Sequence, residues 1–287
     1  AVLLLVGLGC ATPPSVPTQR VDPGSAEVRQ ALARLAEISE GRRALRAQAR
    51  VRLDGASGAS FARHLLILER PDRMRLEILG LVGQRVAVLA SDGQGYDLYR
   101  AETGRVERGP VHAGLLAEVA GVPLAPADLI ALLLGVPPRE LGVPDAAERG
   151  ADGRLALHFE LPDGGRQHLL MEADGRLGAV RLEGEGAQAL VDVGYAKPDP
   201  ATGFAQRVSL AFTSADLQAD VEFGRVELDP PLADALFRLD LATSPGGYQA
   251  PCVRGDGSRS CSPQSWSRTR RCCSFSCCSR TTARSSR

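Results

Sequence analysis

Lysine is nearly missing from this chain: of its 34 basic residues only Lys197 is not an arginine. Cysteine is missing from the body. Six of the seven cysteines stand at or beyond Cys252 and the other is Cys10, so neither a disulfide framework nor a zinc site holds the central chain together. Positive charge is also scarce where it would matter. Residues 252–287 carry eight arginines against one aspartate, which leaves 26 basic and 33 acidic side chains in the rest and a mildly acidic body behind a formal charge of zero. That balance gives no surface for nucleic acid. Long apolar runs are absent as well: residues 1–9 are apolar or glycine and as a helix would reach only about 13.5 Å against a bilayer core of about 30 Å. What remains is 44% apolar and 24% charged over 287 residues, enough for one large domain or two small ones with a substantial core.

Chemistry is absent too. Gly55-Ala56-Ser57-Gly58-Ala59 has alanine where a nucleophile elbow needs its last glycine. Gly184-x-Gly186-x-x-Ala189 is followed by an alternating strand where a dinucleotide fingerprint requires a helix. Of the four histidines only His158 and His168 are close enough in sequence to cooperate. A two-residue turn at Asp163-Gly164 pairs His158 with Leu169 and His168 with Phe159, on opposite faces of the sheet. Glu183 and Glu185 flank a glycine turn as a solvated pair. No catalytic, metal or cofactor site is therefore expected, and the chain is read as a binder and not an enzyme.

From Ser25, an N-cap candidate, Val28, Ala31, Leu32, Leu35 and Ile38 recur at helical spacing up to Gly41. The period then changes to two. Leu45, Ala47, Ala49, Val51 and Leu53 alternate with polar residues, the pattern of a strand with one covered face. Further strands are predicted over 61–69, 74–79, 85–90 and 96–101, and after them over 155–161, 167–172, 177–183, 190–195, 207–212 and 217–228. Between the two meanders lie predicted helices 112–121 and 127–135. Leu129, Ile130, Leu132, Leu133 and Leu134 make the second apolar nearly all round, so it must be covered on most sides by core or ligand. About eleven strands with a few short helices suit an α+β fold that is mostly β: a large antiparallel barrel, incompletely closed, with helices over the open side.

The ends differ in character. Leu8-Gly9-Cys10 resembles the lipobox of bacterial lipoproteins, so residues 1–10 read as the end of a signal peptide and Cys10 as the lipidation site. Ala11 in place of aspartate implies the outer membrane. Residues 11–24 hold four prolines and read as a tether between anchor and domain, and residues 25–245 as the domain. Residues 246–287, rich in Ser, Arg and Cys without hydrophobic period, have the composition of a disordered tail or of a shifted reading frame.

The run Asp72 to Gly83, then Asp92-Gly93, Val119-Ala120-Gly121-Val122-Pro123-Leu124, Leu134-Gly135-Val136-Pro137 and the closing Leu236-Phe237-Arg238-Leu239 resemble, in order and spacing, the LolB family of outer-membrane lipoprotein receptors and its LolA-like relatives. The resemblance spans residues 26–245. It implies a half-open barrel whose cavity holds lipoprotein acyl chains or another lipid, with a periplasmic LolA-like carrier as a partner and a lipid anchor facing the periplasm. It implies a lining of Leu76, Ile78, Val88, Leu116, Leu129, Ile130 and Leu133, and a transfer loop at Leu81 and Val82. An envelope lipoprotein that uses this fold with a filled interior, as a structural or assembly partner, stays open beside that reading.

Overall fold

The computed structural model describes residues 18–239 apart from 57 and 188. Cys10, Ser57, the tail 246–287 and the first half of the expected tether, residues 11–17, lie outside them. The chain opens with strand β1 (Thr18–Val21) and helix α1 (Ala26–Glu40). A first meander follows: β2 (Ala44–Gly55), β3 (Gly58–Glu69), β4 (Arg73–Leu79), β5 (Arg85–Asp92), β6 (Gly95–Arg100) and β7 (Arg105–Pro110). Helices α2 (Leu115–Ala120) and α3 (Pro126–Leu134) come next. The second meander is β8 (Ala146–Gly150), β9 (Leu155–Glu160), β10 (Arg166–Met171), β11 (Leu177–Glu183), β12 (Ala189–Pro198), β13 (Ala205–Phe212) and β14 (Leu217–Leu228).

All fourteen strands form one antiparallel sheet in the order β1-β8-β9-β10-β11-β12-β13-β14-β2-β3-β4-β5-β6-β7. The seam is the pairing of β14 with β2, two twelve-residue strands, and its register slips between Phe223 and Val226. Such a bulge bends a strand and raises its twist. The free edges are β1 and β7, so the barrel is half open. Strand alternation decides the faces. Leu45, Ala47 and Ala49 of β2 are buried with Leu66 and Leu68 of β3 and with Val191, Val208, Leu210 and Val221 of the second meander in one core, each fully buried leucine contributing about 1.5–3 kcal/mol.

Local chemistry sets the helices. The Ser25 hydroxyl accepts from the Val28 N–H at 3.3 Å and Gly41 ends α1, whose Val28 and Leu35 face the core. Helix α3 begins at Pro126, where a missing N–H costs nothing, and ends on Gly135 in the left-handed conformation, φ 69°. Ile130, Ala131, Leu132, Leu133 and Leu134 are all buried, so this helix runs inside the barrel.

Three strands were not legible in the sequence: β1, β7 and β8. Thr18–Val21, expected as tether, pairs with β8, and β7 closes the other edge. Both edge strands are largely exposed, so no alternation of apolar residues marks them; exposed edges are kept polar against further pairing. After β14 the chain crosses the outer side of β4 to β6. Phe237 is fully buried there with the Arg73 guanidinium 4.2 Å over its ring, Arg75 donates to the Leu236 carbonyl, and the Leu239 N–H donates to Asp97.

Candidate functional site

Between the inner face of the first meander and helices α2 and α3 lies a cavity of about 290 Å³. Its floor is ordered by register. Leu66, Leu76, Leu89 and Leu98 are direct cross-strand neighbours over β3 to β6 and form one row of leucines. The adjacent row is His64, Ile78, Ala87 and Arg100. Leu116 and Val119 of α2 with Leu129 and Leu133 of α3 make the roof, and Val51, Phe212 and Val221 a side wall. All four residues of the leucine row and all four of the next line the space.

Of the seven residues expected to line a cavity, Leu76, Ile78, Leu116, Leu129 and Leu133 do so. Val88 does not. It lies opposite Glu77 and Tyr99, one residue out of phase with Ala87 and Leu89, and is buried on the outer side of the sheet. The run Val86-Ala87-Val88-Leu89-Ala90 is apolar on both faces, so alternation alone leaves its phase undefined. Ile130 is fully buried on α3 but turned into the core away from the cavity. The sequence reading missed Leu66, Leu89 and Leu98, which the successive registers of β3 to β6 place in one row with Leu76. It also missed His64 and Arg100, polar residues within alternating strands.

Those two are the chemically distinctive members of the lining. The His64 ring contacts the Ala62 carbonyl through Nδ1 at 3.3 Å, and burial holds its pKa below the usual histidine value. Arg100 donates to the Glu107 carboxylate at 2.9 Å. The cavity roof is tied to the sheet by a buried cation: Arg42 donates to the Leu134 and Gly135 carbonyls at 3.4 and 3.2 Å, and burial lowers its pKa. The Tyr195 hydroxyl, its pKa raised by burial, donates to the Leu132 carbonyl at 3.0 Å. Asp128 on α3 is paired with Arg139.

The hairpin tip at Gly80–Gly83 is tight. The Gly83 N–H donates to the Gly80 carbonyl at 3.0 Å, Gly83 has φ +85°, and Arg63 donates to the Gly80 and Leu81 carbonyls. Leu81 and Val82 are thereby left 98% and 90% exposed. Phe61 and Val86 are also exposed.

The histidine reading is overturned. His158 and His168 are direct cross-strand partners on one face, with ring centroids 4.8 Å apart and Nδ1 atoms 2.5 Å apart. The hairpin between them has a three-residue loop, Pro162-Asp163-Gly164, closed by Leu161 N–H to Gly165 carbonyl, with Gly164 at φ +78°. This loop of turn plus left-handed glycine shifts the register by one relative to a two-residue turn. Burial first, then the neighbouring His168, lowers the His158 pKa. Glu183 contacts His168 at 3.3 Å and Arg181 at 2.9 Å; burial pushes its pKa up, but these two partners outweigh it and hold it low. The pair stands on the outer face of the second meander, beside a groove of about 500 Å³ floored by Ala156, Ala179, Gly194 and Ala211. Among the described residues no group of three or more His, Cys, Asp or Glu side chains is arranged to hold a metal ion, and no helix is long and apolar enough to cross a membrane.

No family model and no curated protein matches the chain. Solved structures do. A domain assigned to outer membrane lipoprotein sorting, from Vibrio parahaemolyticus, superposes on 72% of this chain and 94% of its own at 13% identity, with a TM-score of 0.50. A DUF1329 family protein from Desulfovibrio piger superposes on 75% and 98% at 10% identity, with a TM-score of 0.52. A LolA superfamily protein from Nitrosomonas europaea covers 73% and 97% at 13% identity, with a TM-score of 0.47. At these identities the likeness to the first two is one of fold.

Proposed function

We propose that this chain is a non-enzymatic lipid-binding protein of the bacterial envelope, which takes up an acyl chain of a lipoprotein or of another lipid between its curved sheet and helices α2 and α3. The observation that carries this reading is the cavity itself, about 290 Å³ walled by leucine, isoleucine, valine and phenylalanine side chains with two polar groups. Each methylene buried there contributes about 0.8 kcal/mol, so eight of them would contribute roughly 6 kcal/mol without any covalent step. The volume lies just below the usual range of ligand pockets, about 300–1,000 Å³, and suits one chain at a time.

In the LolB-like form of this reading, Cys10 is lipidated, the protein faces the periplasm from the outer membrane, and a LolA-like carrier delivers its cargo. Leu81 and Val82, exposed at a tight hairpin tip, are the residues that meet the bilayer or the incoming chain. The small volume supports one other reading, an envelope assembly partner whose interior stays filled by its own side chains.

Native mass spectrometry of the protein purified from a lipid-containing host separates the two. Co-purified acyl lipid that disappears in Leu133→Glu supports the receptor reading. A protein that is lipid-free and stays empty when offered a lipopeptide contradicts it.

A further inference from the structure

The cavity has a direction. Moving along the strands from the buried interior, the inner-face row Leu68, Met74 and Ser91 is fully buried. Next comes the leucine row, in which Leu66, Leu89 and Leu98 are buried and Leu76 is half-buried. The following row, His64, Ile78, Ala87 and Arg100, is half-buried throughout and is the row nearest the Gly80–Gly83 tip. The space therefore opens at the end where His64 and Arg100 stand, the two polar lining residues among those described. They are three strands apart, a separation of about 14 Å at the usual strand spacing.

On the β6–β7 side of that opening the inward face carries more positive than negative charge. Arg105 of β7 lies directly opposite Arg100 of β6, while Glu107 of the same edge strand, also facing inward, takes one hydrogen bond from Arg100. The Arg100 and Glu107 side chains are 36% and 54% exposed, so their pair is loosely held and its exchange for another anion costs little. Two guanidinium groups facing one carboxylate leave an unmatched cation, and a guanidinium offers a planar fork to carboxylate or phosphate oxygens. His64, whose charged form burial disfavours, adds a hydrogen-bonding group on the other side.

Resting on the proposed lipid-binding function, we infer that the cavity selects a single-chain amphiphile with an anionic head, its tail on the leucine row and its carboxylate or phosphate on Arg100. Arg105 supports the same charge. Glu107 is its competitor in the empty protein.

The test is calorimetric titration of the full chain with dodecanoate, dodecyl phosphate and dodecanol, each below its aggregation limit. Both anions, or whichever of carboxylate and phosphate the site prefers, should bind at least ten-fold more tightly than dodecanol, a difference of about 1.4 kcal/mol. Arg100→Gln should bring the anions to the affinity of dodecanol and leave dodecanol unchanged. Glu107→Gln should tighten the anions several-fold, and salt should weaken them. Equal binding of all three ligands, or anion binding indifferent to both substitutions, overturns the head-group assignment while leaving an apolar cavity that binds lipid. Binding of none of the three overturns the cavity reading and this inference with it.

Discussion

The Arg42 guanidinium donates a hydrogen bond to the Gly135 carbonyl at 3.2 Å, linking the start of the first meander to the end of the helix inside the barrel. The same nitrogen reaches the Leu134 carbonyl, and the Tyr195 hydroxyl holds the Leu132 carbonyl two residues earlier. A buried cation thus replaces the solvent that would otherwise satisfy the last carbonyls of an apolar helix. The roof of the cavity is positioned by these few polar ties as much as by its leucines.

Replacing Arg42 with methionine should cost about 1–3 kcal/mol, because carbonyls that accept from a charged donor lose it inside the protein. Tyr195→Phe should cost about 0.5–1.5 kcal/mol by the same argument for a neutral donor. Urea denaturation of both variants gives the values. Amide exchange over residues 126–134 should rise more than over β2 and β14.

Val88 and Leu133 are both buried, but on opposite sides of the sheet. Val88→Ala should lower stability by roughly 1–3 kcal/mol through lost packing and leave lipid affinity as it was. Leu133→Ala should lower stability and change lipid affinity together. Parallel unfolding and titration curves distinguish the two.

Leu81 and Val82 contribute nothing to the core. Changing both to serine should shift stability by no more than about 0.5 kcal/mol, as for other exposed sites, while reducing association with phospholipid vesicles measured by flotation. Unchanged flotation would remove the hairpin tip from the transfer role.

Acid should destabilise the fold before carboxylates titrate. His64 and His158 both have pKa values below the ordinary 6.5 in the folded chain, chiefly because burial disfavours the charged ring. The unfolded chain then binds more protons, so stability rises with pH across this window and is lost as pH falls through 6.5 towards the folded values. Glu183, held low by His168 and Arg181 against its burial, adds a further loss below its ordinary value of 4.5. Chemical denaturation at pH 7.5 and pH 5.5 should show the first loss. His158→Phe should diminish it.

Alternation in β2 and the helical spacing after Ser25 were enough to assign faces and caps, because each side chain there reports whether it is wet or buried. The same logic fails where burial is two-sided or absent. Val88 lies in a run apolar on both faces, and only the pairing of β4 with β5 reveals that it belongs to the outside. The edge strands β1 and β7 carry no apolar stripe because one side of each meets no partner. The histidine pair was lost to a single residue of loop length, since a one-residue change of register moves every side chain to the other face. Arg100 and His64 were invisible for a different reason: a polar residue in an inward position reads as noise until the row it belongs to is known.

If the protein binds lipid as proposed, an acyl chain enters the space between the leucine row and helices α2 and α3. Methyl-labelled protein titrated with a doxyl-tagged fatty acid tests it residue by residue, since the radical broadens only nearby methyl signals. Broadening of Leu66, Leu76, Leu129 and Leu133, with Val88 on the outer side unaffected, is the expected result. No broadening, or broadening confined to the outer face, would contradict the account.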